Sequence, residues 1–196
     1  MKKNLLKSLL MFFILLSLIL VSCREKNAAP SKEIINEINL KRGEVISCGP
    51  SEKQFGSAEF EISCSEKVKK DFNLAIALLH SFEYDEAEKV FAKIIDEEPG
   101  CAMAYWGVAM SNYHPLWAPP SEAELKKGTK AIAIAKSIDQ KSSREAEYIN
   151  AIDAFYHDYD KLDHRTRCLK FEKAMEELHS NYPEDIETGT FHINKT

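Results

Sequence analysis

Six histidines and five cysteines carry the widest chemical repertoire in this chain of 196 residues. His80, His114, His157, His164, His179 and His192 could in principle ligate a metal. None of them sits in an H-E-x-x-H or H-x3-H arrangement, and no Cys-x-x-Cys pair accompanies them. No metal and no cofactor are therefore expected. Ser81, His80 and Asp85 supply the residue types of a hydrolytic triad. Neighbours on a helix point in different directions, however, and no nucleophile elbow surrounds the serine. Asp96, Glu97 and Glu98 close a helical stretch and read as a solvated face. No catalytic constellation is predicted.

The cysteines divide by position. Cys101 and Cys168 stand singly in helical text, where a small buried hydrophobe is the usual role. Cys48 and Cys64 flank an irregular leader, GEVISCGPSEKQFGSAEFEISC, over residues 43–64. Turn punctuation falls at Gly49-Pro50 and Gly56, and Phe60 and Ile62 alternate with polar residues. In an oxidising compartment a Cys48–Cys64 disulfide would close a loop of about 15 residues and contribute roughly 3 kcal/mol. The alternative is a pair of reduced, buried thiols.

Charge and hydropathy show which compartment that is. The net charge is −5, but residues 1–22 hold Lys2, Lys3 and Lys7 and no acid. The remainder carries 23 basic and 31 acidic side chains, a charge of −8. Such a surface argues against nucleic acid, whose phosphates require a basic face. The apolar run Leu9 to Val21 follows the lysines, and thirteen residues make only ~20 Å of helix, short of a ~30 Å hydrocarbon core. That is the layout of an export signal over residues 1–22. Its end, Leu20-Val21-Ser22-Cys23, resembles the lipobox of bacterial lipoproteins. The resemblance implies a lipid on Cys23, which becomes the mature N-terminus. With Arg at position 24 it favours the outer membrane, facing the periplasm. Residues 23–42 are polar and read as a flexible tether, with a short helix expected around 33–40.

From residue 65 the apolar period becomes helical. Capping boxes are expected at Ser63-x-x-Glu66, Asp85-x-x-Glu88, Ser121-x-x-Glu124 and Ser142-x-x-Glu145. They and the periodicity predict helices over 65–81, 85–97, 101–113, 121–138, 143–158 and 163–181, an all-α body. Leu74, Ala75 and Leu78 fall on one helix, Ala87 and Phe91 on the next, and Pro99 closes the unit. This spacing resembles the tetratricopeptide repeat (TPR), an antiparallel helix pair of 34 residues. The resemblance covers 65–183, about three helix pairs of a solenoid. It departs from the family at Tyr113-His114-Pro115-Leu116-Trp117-Ala118-Pro119-Pro120, where a tight turn should come. The text around CAMAYWGVAMSNYHPLW is similar to bacterial exported TPR proteins of unassigned function, which are longer. Residues 184–196 read as an incomplete next helix, which suggests a truncated chain; the alternative is a short protein with a frayed end.

In such repeats the first helix of each pair lines a concave face. The register places Phe72, Ile76, Leu79 and His80 beside Trp106, Met110, Tyr113 and His114, with Trp117 at the rim. The face either receives an unidentified protein or peptide partner or is filled by the leader folding back. The expected function is a membrane-tethered, non-enzymatic interaction module or scaffold. The alternatives are a ligand- or metal-binding protein with a site near Trp106–Trp117, and a non-functional remnant of a longer protein.

Overall fold

The computed structural model describes residues 29–46, 56–114 and 118–193. Cys23, Cys48 and Trp117 lie outside the described residues, as does the expected export signal. Eight helices and no strand are found among the described residues: α1 Lys32–Asn36, α2 Glu66–His80, α3 Tyr84–Glu97, α4 Ala102–Ser111, α5 Glu122–Ser137, α6 Ser143–Tyr156, α7 His164–Asn181 and α8 Ile186–Ile193. The chain is all-α in these residues. Helices α2 to α7 begin and end within two residues of the predicted stretches.

Local chemistry explains most of the boundaries. Ser121 and Ser142 both form reciprocal capping boxes, with Glu124 and Glu145 respectively. Asp163 caps α7 by accepting from the Thr166 N–H at 3.0 Å. Phe82 takes a left-handed conformation (φ 62°) in the turn between α2 and α3, and Pro99 ends the second helix by forcing Glu98 out of the helical region. The other two expected boxes do not form. Helix α2 starts from Ser65, which binds the Glu98 carboxylate rather than capping its own helix, and α3 starts from Glu83. Glu88 is drawn instead into the protein interior.

Helices pack in consecutive pairs, α2 with α3, α4 with α5, and α6 with α7. First helices of successive pairs also touch, α2 on α4 and α4 on α6. Close approach depends on missing side-chain volume. Ala75 and Ala87 are fully buried, and Phe91 fills the space beside them. A Cβ built on Gly107 of α4 would lie 2.2 Å from the Phe91 ring, and one on Gly128 of α5 2.2 Å from the Tyr156 ring. Each glycine admits an aromatic ring from the neighbouring helix. Leu74, expected with the repeat signature, instead faces outward at 40% exposure.

Both flanks of the helical body differ from expectation. The segment predicted as a tether is bound to the body from Ser31 onward: Ile35 and Ile38 are buried, the Lys41 backbone N–H donates to Glu88 at 2.8 Å, and Arg42 pairs with Asp96. Two isoleucines three apart are too few to register as periodicity, yet they suffice against an apolar helix surface. The expected incomplete helix at the other end is also packed. Thr188 of α8 is fully buried and Phe191 lies against Trp106 at 5.8 Å, while Ile186 remains 82% exposed.

Candidate functional site

The first helices bring together most of the face that the register predicts. Phe72 and Trp106 stack with ring centroids 6.5 Å apart, and Trp106 meets Tyr148 of α6 edge-on at 5.7 Å. Phe72, Ile76, Leu79, Trp106 and Met110 are all buried, so the face is occupied. Phe60 of the leader inserts its ring 5.5 Å from Phe72, 5.6 Å from Trp106 and 5.0 Å from Tyr148. The Arg144 guanidinium lies over the outer side of that ring at 4.8 Å, a cation–π contact. From the other flank Phe191 covers Trp106, and His80 bonds Glu187 of α8 at 2.7 Å. Of the two alternatives for this face, the described residues show the leader filling it.

Tyr113 and His114 leave this face. Helix α4 stops at Ser111, so residues 112–114 step out of helical register, with His114 at a left-handed φ of 47°. Tyr113 turns toward Phe155 (4.6 Å) and Phe171 (5.0 Å), and His114 stacks on Tyr84 at 5.1 Å.

The leader is held by its backbone as well as by its side chains. Ala58 is partly buried and Phe60, Ile62 and Cys64 are buried, whereas Glu59, Glu61 and Ser63 face outward. That period of two marks an extended segment with one side against protein. Asn73 Oδ1 of α2 accepts the Phe60 N–H at 3.0 Å. Arg144 of α6 donates to the Glu61 carbonyl, and Glu145 accepts the Ser63 N–H at 2.7 Å. Side chains from the first and third pairs thus satisfy donors and acceptors that a non-helical segment would otherwise leave unpaired.

A disulfide fastens the end of this segment, but not the one expected. Cys64 bonds Cys101, with Cα atoms 5.3 Å apart, so the Cys48–Cys64 bridge is excluded and Cys101 is no inert core residue. Cys101 sits at the N-cap of α4, where the second helix pair begins. A separation of 37 residues carries no signal in local spacing; packing of α4 against α2 and α3 brings the two sulfurs together.

Beside the leader, an open cleft of about 570 Å³ is lined by Glu59, Glu61, Arg144, Tyr182, Asp185 and Ile186 among others. Arg144 pairs with Asp185, which also accepts from the Tyr148 hydroxyl at 2.9 Å. Burial, reinforced by the Asp185 charge, holds the Tyr148 phenol neutral far above its ordinary range. The aromatic residue next to Phe60 is thus a fixed hydrogen-bond donor rather than an acid.

Two further polar groupings lie outside the face. Glu88 is buried and bonds Lys127 at 2.7 Å, Asn112 at 3.0 Å and the Lys41 backbone, a compensated internal charge. His164 and Cys168, one turn apart on α7, place Nε2 and Sγ 3.4 Å apart, a contact that isolated residue types did not reveal. Beside them Arg167 is buried over the Phe155 ring. Burial, followed by the Arg167 charge, lowers the affinity of His164 for a proton. The Ser81–His80–Asp85 combination does not assemble, since Ser81 donates to the Ala77 carbonyl and His80 engages Glu187. No group of three His, Cys, Asp or Glu side chains among the described residues could hold a metal ion. None of the described helices is long and apolar enough to cross a membrane.

Asn73 and Arg144 are the leader-holding positions that the sequence did not reveal. Their role depends on a non-helical segment from elsewhere in the chain lying against them. Glu145 was recognisable only as a capping residue, a role it combines with holding Ser63. The chain matches no protein-family model, no curated protein and no solved structure.

Proposed function

We propose that the chain is a lipid-anchored, exported module of TPR-like helix pairs that binds extended peptide segments of an envelope partner on its first-helix face, without catalysis. One observation carries this reading. Asn73, Arg144 and Glu145, from first helices, grip the backbone of an extended segment between them while aromatic side chains receive its inward residues. Backbone bonds of this kind give affinity for any extended chain, and pockets for alternate side chains give selectivity. Further support comes from the succession of helix pairs with touching first helices, and from Ala75, Ala87, Phe91 and Pro99 at pair-closing positions. A disulfide agrees with an oxidising compartment, as export requires. The anchor is assigned to Cys23 and the location to the outer membrane facing the periplasm.

Two measurements test the reading. Cys23→Ala should abolish labelling by a fatty-acid analogue and move the chain out of the membrane fraction; an unlabelled parent chain would remove the anchor. For binding, a panel of short extended peptides is titrated against the full chain carrying Cys64→Ser, read by Trp emission because Trp106 lies at the face. Saturable binding that is lost on Asn73→Leu is the expected result. A panel that never saturates, with helicity intact by circular dichroism, refutes a peptide-binding role.

A further inference from the structure

We propose that the leader is a built-in ligand, and that the face selects an extended partner segment with an aromatic residue, one spacer and an aliphatic residue, as in Phe60-Glu61-Ile62. This deepens the peptide-binding reading and rests on it. The argument starts from what the segment shows to its surroundings. Besides the disulfide-bonded Cys64, Phe60 and Ile62 project inward and are buried, and the spacer Glu61 faces outward, meeting Lys69 at 3.8 Å in a solvated pair worth little. Selectivity at this face therefore lies in the two inward side chains and not in the carboxylates beside them. The Phe60 site is enclosed on every described side by Phe72, Trp106, Tyr148 and the Arg144 guanidinium. A desolvated aromatic in such an enclosure is the kind of residue that dominates peptide and protein recognition.

Phe60 also differs from an ordinary core residue in how it reaches its site. It belongs to a segment without helix or strand, and the contacts around it come from helix side chains reaching to its backbone. The Cys64–Cys101 bridge fixes the segment four residues further on. The backbone also joins Phe60 to the start of α2 within six residues, and a tether this short presents its segment at an effective concentration of the order of millimolar. A free segment of equal intrinsic affinity, present at micromolar concentration, is then excluded by about a thousandfold. Removing the ring takes away the competing side chain, and cutting the bridge releases the segment's second restraint. The partner segment occupies the site by chemistry that the chain itself displays.

The test uses the full chain with Phe60→Ala and Cys64→Ser, which removes the anchor ring and the disulfide that holds the segment against α4, while the backbone link to α2 remains. The probe is a labelled synthetic peptide with the sequence of residues 57–63, followed by fluorescence anisotropy. Expected is saturable binding at least about tenfold tighter than to the disulfide-closed parent. A peptide with Ala at the Phe60 position should bind at least about tenfold more weakly. Equal affinity for parent and variant would show that the leader does not compete, and would overturn the proposal. Saturable binding of unrelated extended peptides, but not of this one, would overturn the aromatic-x-aliphatic assignment and leave the peptide-binding face standing. No binding of any peptide to a variant with intact helicity overturns both. Dimerisation of the variant by leader exchange would identify a second copy as the occupant and likewise overturn the assignment. If Phe60→Ala does not fold, Phe60→Leu, which retains most of the buried volume, is compared in the same way, and the same results support or overturn the proposal.

Discussion

Replacing both Cys64 and Cys101 by Ser is the most informative single perturbation of the fold. The bridge closes a loop of 37 residues in the unfolded chain. In the chain-entropy model, closing a loop of that length removes about 13 cal/mol/K from the unfolded ensemble, or about 4 kcal/mol at room temperature. A total stability of roughly 5–15 kcal/mol makes this a large fraction. For a chain of this size the expected fall in Tm is roughly 8–16 °C. The leader's other attachments, from Asn73 to Phe60, Arg144 to Glu61 and Glu145 to Ser63, act in the folded state and do not restrain the unfolded chain as the bridge does. Urea unfolding followed by far-ultraviolet circular dichroism gives the stability change. Proteolysis without reductant, followed by mass spectrometry, identifies the bridge as one joining the peptides that contain positions 64 and 101. A variant with an unchanged urea midpoint, or a parent map in which Cys64 is joined to Cys48, would be incompatible with a bridge that restrains the unfolded chain in this way.

Three other perturbations separate the forces at work. Gly107→Ala drives a Cβ to 2.2 Å from the Phe91 ring, and overpacking of this kind should cost about 1–3 kcal/mol in urea unfolding; a neutral result would mean that α3 and α4 separate freely. Glu88→Gln leaves the Lys127 ammonium buried without its carboxylate, a loss of about 3–5 kcal/mol, and adding Lys127→Met should recover part of it in a double-mutant cycle. Tyr84 has a buried hydroxyl without a hydrogen-bond partner and a pKa pushed up to about 12 by burial, against an ordinary value of 10.0. Its neutral form is favoured by folding, so its contribution is complete below pH 10 and is lost as pH rises from there toward 12. Tyr84→Phe should therefore flatten part of the alkaline fall in stability and cost nothing at neutral pH; an unchanged alkaline slope would contradict the assignment.

Features set by neighbours in the chain were readable in advance. The capping boxes at Ser121 and Ser142 each involve residues three apart, and both form. Phe72, Ile76, Leu79, Trp106 and Met110, placed on one face by the register that the TPR resemblance implies, are all buried. The same arithmetic fails at Tyr113 and His114 because it assumes that α4 continues, whereas the helix ends at Ser111. It fails at Asp85-x-x-Glu88 because a lysine 39 residues away claims the Glu88 carboxylate. Neither competing partner is visible within a window of one or two turns.

The order, length and pairing of the helices were thus legible in one dimension, because apolar period, caps and small residues at close contacts act over a few residues. Occupancy of the face was not, since it depends on contacts between distant parts of the chain. Residues 56–64 have no helix or strand to announce a partner, and their contacts with the helices come from groups drawn from α2, α4 and α6 together. The cysteines follow the same division. Their number was legible, but the choice of Cys101 over Cys48 depended on which helix start came within bonding distance of Cys64. A face whose occupant the sequence left open is covered by the chain's own leader in three dimensions.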